Sequence, residues 1–229
     1  MAIGADARIL WHLLRGAGRG GSHAQRLERF YAPQARAYDR FRERMLHGRG
    51  ELIARLPASV GDGVVELGAG TGRNLEFFGE RLSALAWVEL VDLCPPLLAV
   101  ARERWAARRH VRLVEADAGD YRPSSPPDCV YFSYALTMIP DWRRAIDNAV
   151  AMLRPGGALG VVDFHLPDTR WPSRLWRAWF GHDGVWLSAD HLPYLRARLD
   201  PIACEERRGT LPYLAGLRVP YYLFVGRKR

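Results

Sequence analysis

Two hydrophobic periods alternate along this chain. Mostly apolar runs rich in β-branched and aromatic residues recur at 64–66, 86–91, 111–115, 128–134 and 159–164, and read as strands. Between them the apolar spacing changes to three and four, over 77–82, after Pro95-Pro96, and at Trp142, Ile146 and Val150. A proline pair suits a helix's first turn, where its fixed φ is already helical. This alternation predicts a doubly wound, mostly parallel α/β sheet, with a ligand site outside the carboxyl ends of the strands. Two later runs, near 203–207 and at 219–225, bring the expected strands to seven.

The flanks follow other patterns. Leu27, Phe30, Tyr31, Tyr38, Phe41, Met45 and Leu52 recur on one side of a helical stretch over 24–56, so residues 1–57 are expected to form a helical cap on a domain of 58–229. Ahead of it, Ile9, Leu10, Trp11, Leu13 and Leu14 oppose Arg8, His12 and Arg15 until a glycine-rich run at 16–21 breaks the helix. Such a basic amphipathic turn suits a membrane surface, packing on the domain, or a frayed end. Within an insertion at about 168–199, Trp171, Leu175, Trp176, Trp179 and Phe180 share one helical face, with Arg174 and Arg177 on another. That segment fits a bilayer interface and a lid over the site equally well.

Composition narrows the class. The chain has 229 residues, nearly half of them hydrophobic (48%), enough for one domain with a full core. Its apolar runs fall short of the ~20 residues of a spanning helix, and no secretory signal is expected at its start. Cys94, Cys129 and Cys204 are odd in number and widely spaced, which predicts a reducing cytoplasm and no structural metal. The net charge of +8 points to anionic partners such as phospholipid surfaces or nucleic acid. No recognisable RNA module accompanies it. Lys228 is the sole lysine among 33 basic residues, so an arginine-favouring coding bias explains the charge as well.

The chemistry concentrates at Val64-Val65-Glu66-Leu67-Gly68-Ala69-Gly70-Thr71-Gly72-Arg73-Asn74. Glycines at alternate positions permit a sharp turn and close approach of a ligand. A helix from about Thr71 would aim unpaired N–H groups at it. A nicotinamide fingerprint from Gly68 needs glycine at 73, where this chain has Arg73. Glu66-x-Gly68-x-Gly70-x-Gly72 instead resembles the first motif of class I S-adenosylmethionine methyltransferases, whose fold is Rossmann-like. An acid about 20 residues past the glycines, Asp92, is expected to accept the ribose hydroxyls.

The resemblance implies further positions. S-adenosylmethionine would be held by Glu66, Gly68, Ala69, Gly70, Thr71, Gly72 and Asn74, by Asp92 and Leu93, by Asp117 and Ala118 at the adenine, by Ser133, and by Tyr38 and Arg49 from the cap. In this fold the loop after the 128–134 strand borders the methyl group. It lacks the Asn/Asp-Pro-Pro-Tyr/Phe of enzymes acting on adenine, which argues against nucleic-acid bases as acceptor. The last strand is expected to be antiparallel, closing a hairpin.

Longer stretches resemble a narrower family, the N-methyltransferases of bacterial betaine-lipid synthesis. They are Tyr38-Asp39-x-Phe41-Arg42 with Gly48-Arg49, Val91-Asp92-Leu93-x-Pro95, Ser133-Tyr134-x-Leu136-x-Met138-Ile139-Pro140-Asp141, Gly160-Val161-Val162-Asp163-Phe164, Trp176-Arg177-Ala178-Trp179-Phe180 and Arg218-Val219-Pro220-Tyr221-Tyr222. His165 departs from the tyrosine associated with its position, and 191–199 matches poorly. The resemblance implies three successive methylations of the amine of diacylglycerylhomoserine, with phosphatidylethanolamine or a quinone-like small molecule as other acceptors. A cofactor- or membrane-binding module without catalysis is the non-enzymatic reading. Tyr134 and His165 are the candidates for guiding the amine or taking its proton. Arg42, Arg174 and Arg177 are the candidates for pairing with the headgroup carboxylate. An aminocarboxypropyl transferase of the same pathway is the expected partner, at the inner face of the membrane.

Overall fold

The computed structural model describes residues 21–32, 39, 43, 45–166, 187–210 and 218–229. Its seven described strands form one sheet in the order β3-β2-β1-β4-β5-β7-β6. They are β1 Gly63–Leu67, β2 Trp87–Asp92, β3 Val111–Glu115, β4 Cys129–Ser133, β5 Ala158–Phe164, β6 Leu199–Thr210 and β7 Arg218–Lys228. The first five are parallel, and β7 runs antiparallel to both β5 and β6. This is the mixed, mostly parallel sheet that the sequence pattern predicts.

The mostly apolar runs became the covered strands for the expected reason. Every residue of β1, β4 and β5 is buried, because helices cover both faces. On one face Leu52, Ile53, Leu75, Phe78 and Leu82 pack against Val64, Val88 and Tyr131. On the other Ile146, Ala149, Leu153 and Leu195 pack against Val65, Val130 and Phe132. The described α-helices are α1 His23–Tyr31, α2 Arg49–Arg55, α3 Pro95–Trp105, α4 Trp142–Met152 and α5 His191–Arg198. β6 is much longer than the 203–207 run, because its ladder with β7 carries polar residues that the apolar pattern leaves out.

Two expectations are corrected. The helical stretch expected over 24–56 is not continuous: among its described residues α1 ends at Tyr31, residues 45–48 are not helical, and Gly48 in left-handed backbone (φ +78°) opens α2. The helix expected from Thr71 is a 3₁₀ segment, Arg73–Ala84, preceded by left-handed Gly72 and interrupted at Gly79. The turn's N–H groups are therefore spent within the protein: Gly70 N–H on Asp92 Oδ2 at 2.7 Å, and Gly72 N–H on the Ala69 carbonyl at 2.9 Å. No described helix is long and apolar enough to cross a membrane.

Candidate active site

A cavity of about 250 Å³ opens at the carboxyl ends of β1, β2 and β4, walled by α1 and the residues before α2. The glycine turn forms its floor. At Gly68, with φ +76°, an added Cβ would lie 2.4 Å from the Ala135 Cβ, so the turn and the loop after β4 meet with no room for a side chain. The Gly68 and Ala69 N–H groups both bond the Val91 carbonyl, at 2.8 and 3.0 Å, which ties the turn to the end of β2.

Asp92 ends β2 inside this cavity. Its Oδ2 accepts the Gly70 N–H and its Oδ1 accepts the Cys94 N–H at 2.8 Å. Burial raises the carboxyl's pKa, opposed by those backbone hydrogen bonds. Each carboxylate oxygen has more than one acceptor site, so the group keeps capacity for ligand hydroxyls while its orientation is fixed.

Glu66 sits one layer deeper. It is fully buried and does not reach the cavity lining, whereas Asn74 does. Asn74 Nδ2 donates to Glu66 Oε1 at 2.6 Å, and the Tyr131 hydroxyl donates to Oε2 at 2.8 Å. Desolvation dominates and pushes the Glu66 carboxyl up to about 8, against the two hydrogen bonds and the more distant Arg49. Arg49, buried and lining the cavity, donates to the Leu46 carbonyl at 3.1 Å and to Asn74 Oδ1 at 3.3 Å, with its guanidinium 5.4 Å from the Phe77 ring centre.

Ser133 and Tyr134 form the wall at the end of β4. Ser133 Oγ is buried at the lining and has no hydrogen-bond partner among the described residues, a gap that a polar ligand group would fill. Tyr134 is the one non-glycine with positive φ (+54°) among the described residues. Its hydroxyl donates to the His47 carbonyl at 2.8 Å and its ring meets Phe164 edge-on at 4.7 Å. Burial beside Asp163 raises its pKa well above a free phenol. The phenolic proton is thus committed to the backbone before α2, and the side chain acts as a strut.

Of the other expected residues, Ala69, Gly70, Thr71, Leu93, Asp117 and Ala118 line the cavity, with Asp117 at its exposed rim, and Gly72 does not. His165 is outside the lining. It lies on the sheet face covered by α4 and α5, with Nε2 3.2 Å from Glu206 and its ring 5.7 Å from that of Tyr222. Burial lowers its pKa. Tyr38, Arg42, Arg174 and Arg177 fall outside the described residues, as does the tryptophan-rich segment.

The structure also brings in Asp39, which the sequence reading named with Tyr38 in the cap, and residues that sequence reasoning missed. Asp39 lines the cavity, takes the Thr71 hydroxyl at 2.6 Å and pairs with Arg104, whose guanidinium also donates to the Thr71 carbonyl at 2.8 Å. Nothing in the spacing of residues 39, 71 and 104 announces that triangle. His23, Leu27, Met138 and Arg144 complete the walls. Carboxylate, orphan hydroxyl, guanidinium and apolar walls together suit a nucleoside bearing a charged amino-acid tail.

Comparison with known proteins agrees with this geometry. Residues 64–157 match the family model described as "Methyltransferase domain". A trans-aconitate 2-methyltransferase of Paracidovorax citrulli is 33% identical over 135 residues, 58% of this chain and 49% of that protein. One from Methylobacterium radiotolerans is 29% identical over 164 residues, 71% of this chain and 60% of that protein. The chain thus spans about half the length of the curated relatives it matches. Among solved structures, the N-methyltransferase NodS of Bradyrhizobium japonicum, in complex with S-adenosylhomocysteine, superposes with a TM-score of 0.67 at 21% identity, over 91% of this chain and 99% of that one. Phosphoethanolamine N-methyltransferase 2 of Haemonchus contortus, with S-adenosylmethionine, gives 0.71 at 16%, over 92% and 60%. At these identities the superpositions establish the fold. Residues 64–157, which carry the glycine turn and the central strands, are thus similar to the methyltransferase domain, and the whole sheet shares the fold of these solved methyltransferases.

Proposed function

We propose that this chain is an S-adenosylmethionine-dependent methyltransferase acting on the amine of a lipid headgroup. The observation that carries the cofactor is Asp92, whose carboxylate is fixed by the Gly70 and Cys94 N–H groups inside the cavity that the glycine turn floors. When bound, S-adenosylmethionine would supply an activated methyl group to an acceptor nitrogen that has already released its proton to solvent, the nitrogen lone pair forming the new C–N bond while the S–C bond breaks to leave a neutral thioether. The protein's task is then placement. Alignment of donor and acceptor is worth ~7 kcal/mol or more of barrier, and an α-amine of pKa ~8 loses its proton to water at small cost near neutrality. Ser133 offers its unpartnered hydroxyl to the ligand, and Tyr134 sets the wall by its bond to His47.

The acceptor reading, diacylglycerylhomoserine carried to its trimethyl betaine, is supported by the sequence resemblance over residues 38–49, 133–141, 160–164, 176–180 and 218–222, and by the net charge of +8, which suits an anionic surface. On this reading the aminocarboxypropyl transferase that supplies the lipid is a partner. The identity to trans-aconitate 2-methyltransferases favours a second reading, O-methylation of a small carboxylate.

One experiment separates them. The full chain is incubated with methyl-labelled S-adenosylmethionine and, in parallel, vesicles of diacylglycerylhomoserine, vesicles of phosphatidylethanolamine, and trans-aconitate. Labelled mono-, di- and trimethyl lipid in the first arm alone supports the proposal; label only in trans-aconitate supports the second reading. An Asp92→Asn variant that binds S-adenosylhomocysteine as tightly as the unsubstituted chain would refute the cofactor site.

A further inference from the structure

We propose that Asp163 is a positioning residue for the transfer step: from the sheet face opposite the cavity it grips Thr137, and through Thr137 it fixes the wall that the acceptor meets. This rests on the methyltransferase reading above and adds to it the group that holds that wall in register.

The wall is one loop with two sides. Residues 133–135 and 138–141 line the cavity. Between them Leu136 and Thr137 are buried away from it, Leu136 in the core beneath α4 and Thr137 against Asp163. Strand alternation brings Asp163 to that side. In β5, Leu159 and Val161 pack toward α4 and α5, and Val162 and Phe164 pack on the other face, so Asp163 shares the first face.

The Asp163 carboxylate is fully buried. Its Oδ1 accepts the Thr137 hydroxyl at 2.7 Å and the Phe164 N–H at 2.8 Å, and its Oδ2 accepts the Thr137 N–H at 3.2 Å. Burial pushes the carboxyl up to about 6 against these bonds, so it is mostly ionised at neutral pH. The loop's other bonds are internal, Met138 N–H to the Ala135 carbonyl at 2.9 Å and Ile139 N–H to the Leu136 carbonyl at 3.1 Å. Among the described residues, Asp163 is thus what ties this turn to the sheet.

Tyr134 makes the tie necessary. A non-glycine residue at positive φ is strained and keeps that conformation only where its surroundings hold it. Before the bend, the Tyr134 N–H bonds the Val162 carbonyl at 2.8 Å, and its hydroxyl is held by His47. Beyond the bend the anchors are those on Asp163. Without them Tyr134 can relax and draw the turn off the cavity. Asp92 and the glycine turn keep their places, because they are tied to each other and to the Val91 carbonyl. Asparagine does not substitute for Asp163. An amide has one acceptor oxygen, so either the Thr137 or the Phe164 N–H would face its NH2 group, donor against donor.

The test compares Asp163→Asn, Thr137→Val and Thr137→Ser with the unsubstituted full chain. Three quantities are measured: amide hydrogen exchange by peptide mass spectrometry, calorimetric binding of S-adenosylhomocysteine, and methyl transfer at saturating S-adenosylmethionine to whichever of the three acceptors above takes label. In Asp163→Asn and Thr137→Val, exchange over 134–141 should rise by about ten-fold or more, the worth of a hydrogen bond to a charged group, with 64–72 unchanged. In both, kcat should fall by about ten-fold or more while S-adenosylhomocysteine affinity stays within about two-fold, the split that misplaced reactants produce. Thr137→Ser keeps the hydroxyl and should rescue both exchange and turnover. The near-isosteric Thr137→Val decides the matter if Asp163→Asn does not fold. Exchange over 134–141 that does not rise, turnover that does not fall, or S-adenosylhomocysteine affinity that falls in step with turnover would overturn the proposal. If the unsubstituted chain binds S-adenosylhomocysteine and labels none of the acceptors, the acceptor reading fails by itself, and the exchange pattern still decides whether Asp163 holds the wall.

Discussion

The buried carboxyl of Glu66 makes a stability prediction whose sign runs opposite to that of most acidic side chains. Its pKa rises from the ordinary 4.5 to about 8, chiefly through burial. Between those values the folded protein holds a proton that the unfolded chain has released, so stability falls as pH rises through the window. The slope is about 1.4 kcal/mol per pH unit for one group. From about pH 5.5 to about pH 7.5 the contribution drops by about 3 kcal/mol. Glu66→Gln replaces the protonated form by a near-isostere, with its carbonyl toward Asn74 and its amide toward Tyr131. That costs ~1 kcal/mol in hydrogen-bond geometry, independent of pH. The assay is urea unfolding followed by tryptophan fluorescence without cofactor, at matched pH for both chains, so other titrating groups cancel in the difference. Glu66→Gln should be slightly less stable at the acid end, should overtake the unsubstituted chain toward neutrality, and should stop gaining above about pH 8. A difference that stays flat would mean that the carboxyl is ionised and hydrated in the folded protein, and the burial argument would be refuted.

Other consequences follow from the same geometry. Gly68→Ala forces a Cβ to within 2.4 Å of the Ala135 Cβ at positive φ, and should destabilise by more than ~2 kcal/mol in urea unfolding. Ala135→Gly in the same chain should recover the clash but not the backbone strain. His191 is fully buried beside Trp142, with its pKa lowered to about 4 by burial and by His165. Below its ordinary 6.5 the unfolded chain therefore binds more protons, and stability falls by about 3 kcal/mol between that value and pH 4. His191→Leu should flatten this limb when unfolding midpoints are compared at acid and neutral pH. Asp39→Asn removes the charge that joins Arg104 and Thr71, and should weaken S-adenosylhomocysteine binding by about three- to ten-fold in calorimetry.

The sheet was legible in the sequence because burial on both faces writes itself as mostly apolar runs, and β1, β4 and β5 are buried end to end, with Glu66 in β1 and Asp163 in β5 as their buried acids. Asp92 was legible because a strand end and a glycine turn fix its place by local spacing alone. What stayed hidden depends on partners distant in sequence. Arg104 meets Asp39 across 65 positions, and Tyr134 reaches His47 across 87. The phenol looked available for a proton until its bond to that carbonyl was seen. His165 shows the limit of counting to a strand's end. It follows β5 directly, yet β alternation turns its side chain to the α4 and α5 face, where Glu206 waits, and leaves Phe164 on the cavity side against Tyr134.

Strand order explains why these groups converge where they do. From β1 the chain passes to β2 and β3 on one side, then returns across the sheet to β4 and β5 on the other. The connections leaving β1 and β4 therefore diverge, and the crevice between them is roofed by neither. The glycine turn after β1 and the Ser133–Tyr134 wall after β4 border that opening directly, close enough that Gly68 and Ala135 leave no space for a methyl group between them. Asp92, one strand further out, reaches in through its bonds to Gly70 and Cys94. A side chain larger than alanine at 135, or any side chain at 68, would push apart the two walls that must grip one ligand. Gly68 is thus a consequence of the close approach of the connections after β1 and β4 as much as of any ligand, and the cavity exists because the sheet is wound in two directions from its centre.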